Sequence, residues 1–395
     1  MASTAASQAP PPGSLPTAAQ IPLESFELPT FPPQAQELRA LTLTCDIALD
    51  NYTGLLTQPF KVTDLPPKIE SLTLELFSLG YPAGFLEQLA QKLPELKSLT
   101  VFGQLLGGVS VETHQDVVKF FEMISKGLRE LHLLDVFSPP GLIKDVGNVL
   151  QKQGKLMFSE INYTTRHDED FFARIPGTEL PGMVNPGLIT FALNMAPSEG
   201  PEDDDEEDKD KGHDEKRQKT DEPKEEGITP LNRTLAEDLV QYLTAVTTRP
   251  RTLKVLNTTL YTLTFTQLRR IKEVHTGILV LNVTVELEME SSEEGDEAWN
   301  KWKAEVLESI AYCTNLEQVE IVASPGLQFS LAVQNPRRKI LDRVWPGEED
   351  MAKLKQKCPN LILFQGSILR KPGGLEWRYD DGKWTRGLLS SDGSQ

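Results

Sequence analysis

The chain has 395 residues, 39% of them hydrophobic, and a formal net charge of −18. Residues 199–226 hold 15 Asp and Glu against 6 Lys and Arg, which places half of the negative excess in one short segment. Nucleic-acid binding needs a concentrated basic face, and a membrane span needs about 20 consecutive apolar residues. The sequence has neither, so we expect no nucleic acid and no membrane among its partners.

The first 36 residues are rich in Pro and Ala and show little apolar periodicity before Ile21. This composition predicts a disordered tail over residues 1–36, whose last part covers the open end of the first structured unit. The segment lacks the basic start and the apolar stretch of a secretory signal, and the chain's three cysteines are widely scattered. A reducing compartment fits both features, so we expect the protein in the cytoplasm, the nucleus or both.

A leucine-rich phrase recurs from residue 37 onward, with apolar residues at its first, fourth and sixth positions. Four copies are Leu38/Leu41/Leu43, Ile69/Leu72/Leu74, Leu96/Leu99/Val101 and Leu128/Leu131/Leu133, and two weaker copies follow at Leu156/Ile161, with Ser159 at the middle place, and at Leu188/Phe191/Leu193. Their first residues lie 31, 27, 32, 28 and 32 positions apart. Such a period indicates one supersecondary unit stacked along the chain, rather than a globule with a single cleft.

Amphipathic patterns of helical spacing separate these phrases. The stretch 113–124, for example, places Val117, Phe120 and Phe121 on one side of a helix. Each unit is therefore a short strand, a loop and a helix, and stacked units of this kind give a parallel sheet. We predict an α/β solenoid over residues 37–196, with a curved parallel sheet lined by helices.

An acidic segment interrupts the repeats at residues 197–230. Because it has almost no apolar content, we predict a disordered and solvated insert. Its negative charge could simply solubilise the chain, or it could attract basic partners over long range. Within it, Lys216-Arg217-Gln218-Lys219 has the composition of a minimal nuclear-import signal.

Apolar periodicity resumes after the insert. We predict that residues 231–390 form the second part of the solenoid, which then has about ten irregular units in all. Near the end of this part, Asp381-Gly382 stands between aromatic-rich segments. An Asp-Gly pair in this setting predicts a β-hairpin, which would cap the last edge of the sheet.

Three phrases carry a resemblance to a known family. The segments LPPKIESLTL at 65–74, LPELKSLTV at 93–101 and CPNL at 358–361 resemble leucine-rich repeats. They are similar to the long, ribonuclease-inhibitor-like class that occurs in F-box leucine-rich-repeat proteins, although no F-box is recognisable here. The resemblance implies a solenoid fold and a role in recognising other proteins.

Two finer roles follow from such resemblances. Proteins of the F-box class commonly select substrates for a ubiquitin ligase and dock a Skp-type adaptor. A second comparison is with the acidic leucine-rich nuclear proteins that bind histones, although their acidic tract is a C-terminal tail. A Skp-type adaptor and a basic protein such as a histone are therefore both candidate partners.

No motif for catalysis, a cofactor or a metal is recognisable. The sequence has no G-x-S-x-G, no P-loop, no Rossmann glycine pattern and no H-E-x-x-H. Its five histidines are dispersed, and Cys–His spacing typical of zinc sites is missing. We therefore expect a protein that is not an enzyme, with no catalytic residues, no cofactor and no metal site.

The candidate binding residues lie on the inner, concave face of the predicted sheet. In a repeat of this type, residues between and just after the buried apolar positions of the strand point away from the helices. The side chains assigned to this partner-binding face are Thr73, Glu75, Thr100, Phe102, His132, Leu134 and Asn162. Phe102 beside Leu134 would form an apolar anchor for another protein. The alternative is that this face is ordinary β-favouring surface, with Thr selected for strand propensity.

Overall fold

A computed structural model of the chain describes residues 17–108, 110–165, 175–197, 233–289, 295–311, 313–333, 338–369, 371 and 373–389. Within these residues, 13 strands form one sheet, and each strand pairs with the strands before and after it in the chain. The first eleven strands are parallel, and the last two add antiparallel pairs. The prediction of an α/β solenoid of stacked strand–helix units is confirmed.

The strands occur at these positions: β1 Ala18–Leu23, β2 Ala40–Cys45, β3 Ser71–Glu75, β4 Ser98–Leu105, β5 Glu130–Phe137, β6 Phe158–Thr165, β7 Thr190–Pro197, β8 Val255–Leu263, β9 Val280–Leu287, β10 Gln318–Pro325, β11 Leu363–Ile368, β12 Gly374–Asp380 and β13 Lys383–Leu389.

The α-helices occur at these positions: α1 Leu49–Leu55, α2 Phe85–Gln91, α3 Val111–Ile124, α4 Leu142–Gln153, α5 Arg233–Thr244, α6 Phe265–Val274, α7 Asp296–Ala311, α8 Leu327–Ala332, α9 Arg338–Val344 and α10 Glu348–Lys357. Two short 3-10 helices lie at Pro33–Glu37 and Leu180–Met183. No helix of the described ranges is long and apolar enough to cross a membrane.

Strand residues alternate between a buried face and a face without helices. In β3, for instance, Leu72 and Leu74 are buried, whereas Thr73 and Glu75 remain partly exposed. The buried side chains of successive strands join those of the helices in one hydrophobic core that runs the length of the sheet. The repeated leucine phrase thus supplies the strand side of the core, because alternate residues of a strand point to the same face.

Local capping fixes where two of the helices begin. Ser110 caps α3 by accepting a hydrogen bond from the Thr113 backbone N–H. Thr264 caps α6 in the same way, and the Gln267 side chain accepts a bond from the Thr264 backbone N–H. These reciprocal bonds satisfy backbone donors that a helix start would otherwise leave unpaired. The starts of α3 and α6 are therefore fixed by local hydrogen bonds.

The predicted tail differs from the structure over residues 17–36. This stretch contains β1, which pairs in parallel with β2, and the short helix Pro33–Glu37. Phe26 is buried, with its ring centroid 5.9 Å from that of Tyr52 and 5.5 Å from that of Phe85. The prediction of disorder over this stretch is wrong, because its few apolar side chains cover the end of the core instead of forming a periodic pattern. Residues 1–16 lie outside the described ranges.

The far end of the sheet is an antiparallel hairpin at the position where the sequence predicts one. Asp380 pairs with Lys383, so the connection between β12 and β13 is the two-residue turn Asp381-Gly382. Both turn residues have positive φ, 49° and 82°. Two positive φ values are what the tight hairpin turn requires, which explains the Asp-Gly sequence.

The predicted insert at 197–230 lies outside the described ranges apart from Pro197, as does its basic segment 216–219. The proposed division into domains therefore stays a prediction.

Candidate functional site

The open face of the sheet, defined as the face without helices, carries a continuous central row of side chains. Cα partners follow one another in register from β1 to β12. The central row consists of Gln20, Thr42, Thr73, Thr100, His132, Glu160, Ala192, Asn257, Asn282, Glu320, Gln365 and Glu376. Because neighbouring strands lie about 4.8 Å apart, these side chains form a continuous row across the sheet, and all of them except Ala192 are polar.

A second row lies two residues further along each strand. From β1 to β7 it consists of Pro22, Thr44, Glu75, Phe102, Leu134, Asn162 and Asn194. A third row begins the strands, and in β4 to β6 it contains Ser98, Glu130 and Phe158.

The structure brings together all seven residues predicted to form the binding face. Thr73, Thr100 and His132 are neighbours in the central row. The other four, Glu75, Phe102, Leu134 and Asn162, are neighbours in the second row. All seven lie on the four successive strands β3 to β6. Their role in binding stays a prediction.

An apolar cluster interrupts the polar surface on these strands. Phe102 is 38% exposed and pairs in register with Leu134. Leu76 follows β3, is 45% exposed, and donates its backbone N–H to the Phe102 carbonyl at 2.9 Å. A Cβ on Gly103 would lie 3.2 Å from Leu76 Cδ2, so the Leu76 side chain covers the residue after Phe102. We call Leu76, Phe102 and Leu134 the apolar anchor.

Sequence reasoning missed Leu76 because it lies one residue beyond its strand. Its φ of 62° places it in the left-handed region. Gly103 and Asp135 occupy the equivalent positions after Phe102 and Leu134, with φ values of 61° and 48°. In β4 and β5 this left-handed residue lies within the strand, and pairing resumes after it at Gln104 and Val136, so it marks an irregularity in the strand rather than its end. The recurrence of Gly and Asp at this position is a signal that could have identified the irregularity.

A polar cluster adjoins the anchor on β5 to β7. His132 Nδ1 lies 2.8 Å from Glu160 Oε2, and Asn194 Nδ2 donates to Glu160 Oε1 at 3.3 Å. The His132 ring centroid lies 4.7 Å from that of Phe158. Glu160 therefore bridges two neighbours, and the His132 ring is held by a carboxylate rather than directed at open space. Glu160 was not among the predicted residues, although its position between Ser159 and Ile161 is the same as that of Thr73 between Leu72 and Leu74.

Glu320 on β10 is another carboxylate of the central row, and its surroundings differ from those of Glu160. It lies between Asn282 on β9 and Gln365 on β11, and it is half-buried. Burial raises the pKa of the Glu320 carboxyl. Among the described residues, no hydrogen bond or ion pair reaches this carboxylate.

The three rows of the open face are acidic. Between β1 and β12 they carry five carboxylates, on Glu75, Glu130, Glu160, Glu320 and Glu376. Arg378 is the single Lys or Arg at the described positions of these rows, and it lies 3.0 Å from Glu376. The face therefore has an excess of negative charge that its own side chains do not neutralise.

A separate cavity of about 320 Å³ lies outside the open face, between the start of α6, the end of β9 and α7. Its lining includes Phe265, Trp302 and charged residues of both signs. Arg269 is hydrogen-bonded to Glu305 and lies 3.2 Å from Glu308. Since opposite charges already pair there, the cavity does not indicate one ligand class. No group of His, Cys, Asp and Glu in the described ranges is arranged to hold a metal ion.

Comparison with known proteins gives matches among solved structures. No protein-family model matches the chain, and no curated protein matches it. The leucine-rich repeat-containing protein LegL7 from Legionella pneumophila is similar over 91% of this chain and 92% of its own, with 13% sequence identity and a TM-score of 0.36. A TM-score below 0.5 does not establish a shared fold, so the assignment of the fold rests on the strand order and registers given above.

Proposed function

We propose that the protein is a non-catalytic recognition scaffold that binds another protein on the open face of its sheet. The observation that carries this proposal is the apolar anchor, which is exposed on a face whose other side chains are largely polar. Strand propensity accounts for the threonines of this face but gives no reason to cluster Phe102 with Leu76 and Leu134. Exposed apolar clusters rimmed by polar groups are typical of protein-binding surfaces.

The sheet also supports tight binding through its rigidity. Phe102 and Leu134 extend from strands whose backbones are paired on both sides, and Leu76 directly follows β3, so the positions of these side chains change little when a partner binds. Binding then costs less conformational entropy than it would on flexible loops. An extended face of this kind suits a protein or peptide better than a small molecule, which needs an enclosed pocket.

The F-box-like role is a weaker candidate. Residues 17–48 form two strands and one short 3-10 helix, whereas an adaptor-binding box would need helices. A basic partner, such as a histone, is the better-supported alternative, because the open face and the segment 199–226 are both acidic.

The test compares proteins recovered from a lysate of the source cells with the wild type and with Phe102→Asp/Leu134→Asp. Val246→Asp is the matched control, because Val246 is 79% exposed and lies outside the sheet. Quantitative mass spectrometry should show a discrete set of proteins that the double variant loses and the control retains. Equal recovery with all three proteins would contradict binding at the anchor. Thermal unfolding of each variant verifies that the fold is intact.

A further inference from the structure

The carboxylate of Glu320, which no hydrogen bond or ion pair from another described residue reaches, indicates what kind of partner the open face accepts. Its strand neighbours Val319 and Ile321 point into the core, so the Glu320 side chain lies on the open face. Asn282 and Gln365 flank it, and the Gln365 side-chain amide donates to Glu376 at 2.8 Å. The nearest row neighbours therefore offer no positive charge to Glu320.

Two other carboxylates of the central row are satisfied within the protein. Glu160 is bound by His132 and Asn194, and Glu376 is bound by Gln365 and Arg378. A half-buried carboxylate without a partner is unfavourable, since burial removes water that would otherwise solvate the charge. The carboxylate of Glu320 would be stabilised by a cation delivered from outside, such as a lysine or arginine side chain.

Glu320 and the apolar anchor lie on one surface at a definite separation. Phe102 is on β4 and Glu320 is on β10, six strand spacings away. At about 4.8 Å per spacing, the distance along the sheet is about 29 Å. An extended chain advances about 3.4 Å per residue, so a segment of about nine residues spans both sites.

We propose that the open face binds a basic protein segment, in which an apolar side chain packs on Leu76, Phe102 and Leu134 while a lysine or arginine pairs with Glu320. This inference rests on the proposed recognition function and names its partner by charge. The acidic character of the whole face supports it, because charge complementarity steers association and rejects acidic competitors.

The first step of the test selects binders from a phage-displayed library of random 16-residue peptides, with the full-length protein as bait. We expect enrichment of peptides that combine an apolar residue with Lys or Arg roughly nine positions away. These peptides should not bind the Phe102→Asp variant. Such a loss would exclude attraction to the acidic segment 199–226 as the sole source of the affinity.

The second step measures the affinity of one selected peptide by fluorescence anisotropy. Glu320→Lys should weaken binding at least tenfold, whereas Glu273→Lys should change it less than twofold. Glu273 is an exposed residue of α6, so the control makes the same charge change away from the open face. A peptide with its key Lys replaced by Glu should regain binding to Glu320→Lys and not to the wild type.

The outcomes separate the two proposals. Selected peptides that lack Lys and Arg, or that bind Glu320→Lys as well as the wild type, would overturn the basic-partner inference while leaving the scaffold role in place. A library that yields no peptide sensitive to Phe102→Asp would overturn the scaffold role, and the inference with it.

Discussion

Lys272 shows how a single buried charge can serve stability rather than binding. It is fully buried in α6, and its Nζ donates to the Ser309 carbonyl at 2.8 Å and to the Ile310 carbonyl at 3.0 Å. These carbonyls belong to the C-terminal end of α7, where the helix dipole favours a cation. Burial lowers the pKa of Lys272, and the neighbouring Cys313 and Cys358 are buried as well.

Replacing Lys272 with Met should destabilise the protein by about 3 kcal/mol, because two buried carbonyls lose their donor. Urea unfolding measures the change in the free energy of unfolding. The same substitution at Lys353, which is exposed on α10, should change that free energy by less than about 0.5 kcal/mol. Similar losses in the free energy of unfolding for both variants would contradict a stabilising role of Lys272 at the C-terminal end of α7.

Leu76 indicates a compromise between stability and binding. A leucine at a φ of 62° is strained, since its Cβ approaches the following backbone. Leu76→Gly should therefore raise the free energy of unfolding by about 0.5–1 kcal/mol while weakening partner binding through loss of the anchor. Thermal unfolding and peptide anisotropy measure the two effects. A variant that is less stable than the wild type would show that packing of Leu76 outweighs its backbone strain.

His275 should make stability fall in mild acid. Its Nε2 donates to the Leu243 carbonyl at 2.7 Å, and burial lowers the pKa of its ring from the ordinary 6.5. Below pH 6.5 the unfolded chain takes up a proton that the folded protein refuses until its own lower pKa is reached. The free energy of unfolding therefore decreases as the pH falls from about 6.5, by at most about 1.4 kcal/mol per pH unit from this group.

His275→Gln can keep the hydrogen bond but cannot be protonated in this range. Its free energy of unfolding, measured in urea at several values between pH 7 and pH 5, should depend on pH less steeply than that of the wild type. Parallel pH profiles for the two proteins would exclude His275 as the source of the acid sensitivity.

Among the elements, the first strand and its following segment are integral to the fold. Phe26 follows β1, and its ring packs in an aromatic cluster with Tyr52, Phe77 and Phe85. Phe26→Ala should cost about 3–4 kcal/mol of stability, because it leaves a cavity at the end of the core. Phe31→Ala, at a partly buried position of the same segment, should cost distinctly less. Denaturant unfolding measures the loss in the free energy of unfolding for each variant. Equal and small losses for Phe26→Ala and Phe31→Ala would indicate that the segment contributes little to the core.

The sequence predicts the elements to different extents. Alternation in β3 to β6 is enough to assign which side chains face outward, because a strand has a period of two residues. The sequence pattern does not predict β1, since Ala18–Leu23 contains Pro22 and lacks the leucine phrase. The sequence also does not predict the burial of Lys272, because a lysine on a helix usually faces water. Both features arise from contacts with residues distant in the chain.

The described part of the sheet has two edge strands, β1 and β13, and different residues limit the pairing of each with another chain. Pro22 removes one backbone donor from the edge strand β1, which limits pairing with another chain. At the other end, the hairpin strand β13 carries Lys383 and Arg386, and such charges discourage edge-to-edge aggregation. Because every strand pairs with its neighbours in the sequence, stability is distributed along the solenoid rather than concentrated in one centre.

Binding of another protein at the apolar anchor of the open face can be tested by site-specific photo-crosslinking in the source cells. A benzophenone amino acid would replace Phe102 in one version and Val246 in the other. We expect illumination to link position 102 to a discrete protein and to leave position 246 without that product. Identical crosslinked proteins at both positions, or none at position 102, would contradict it.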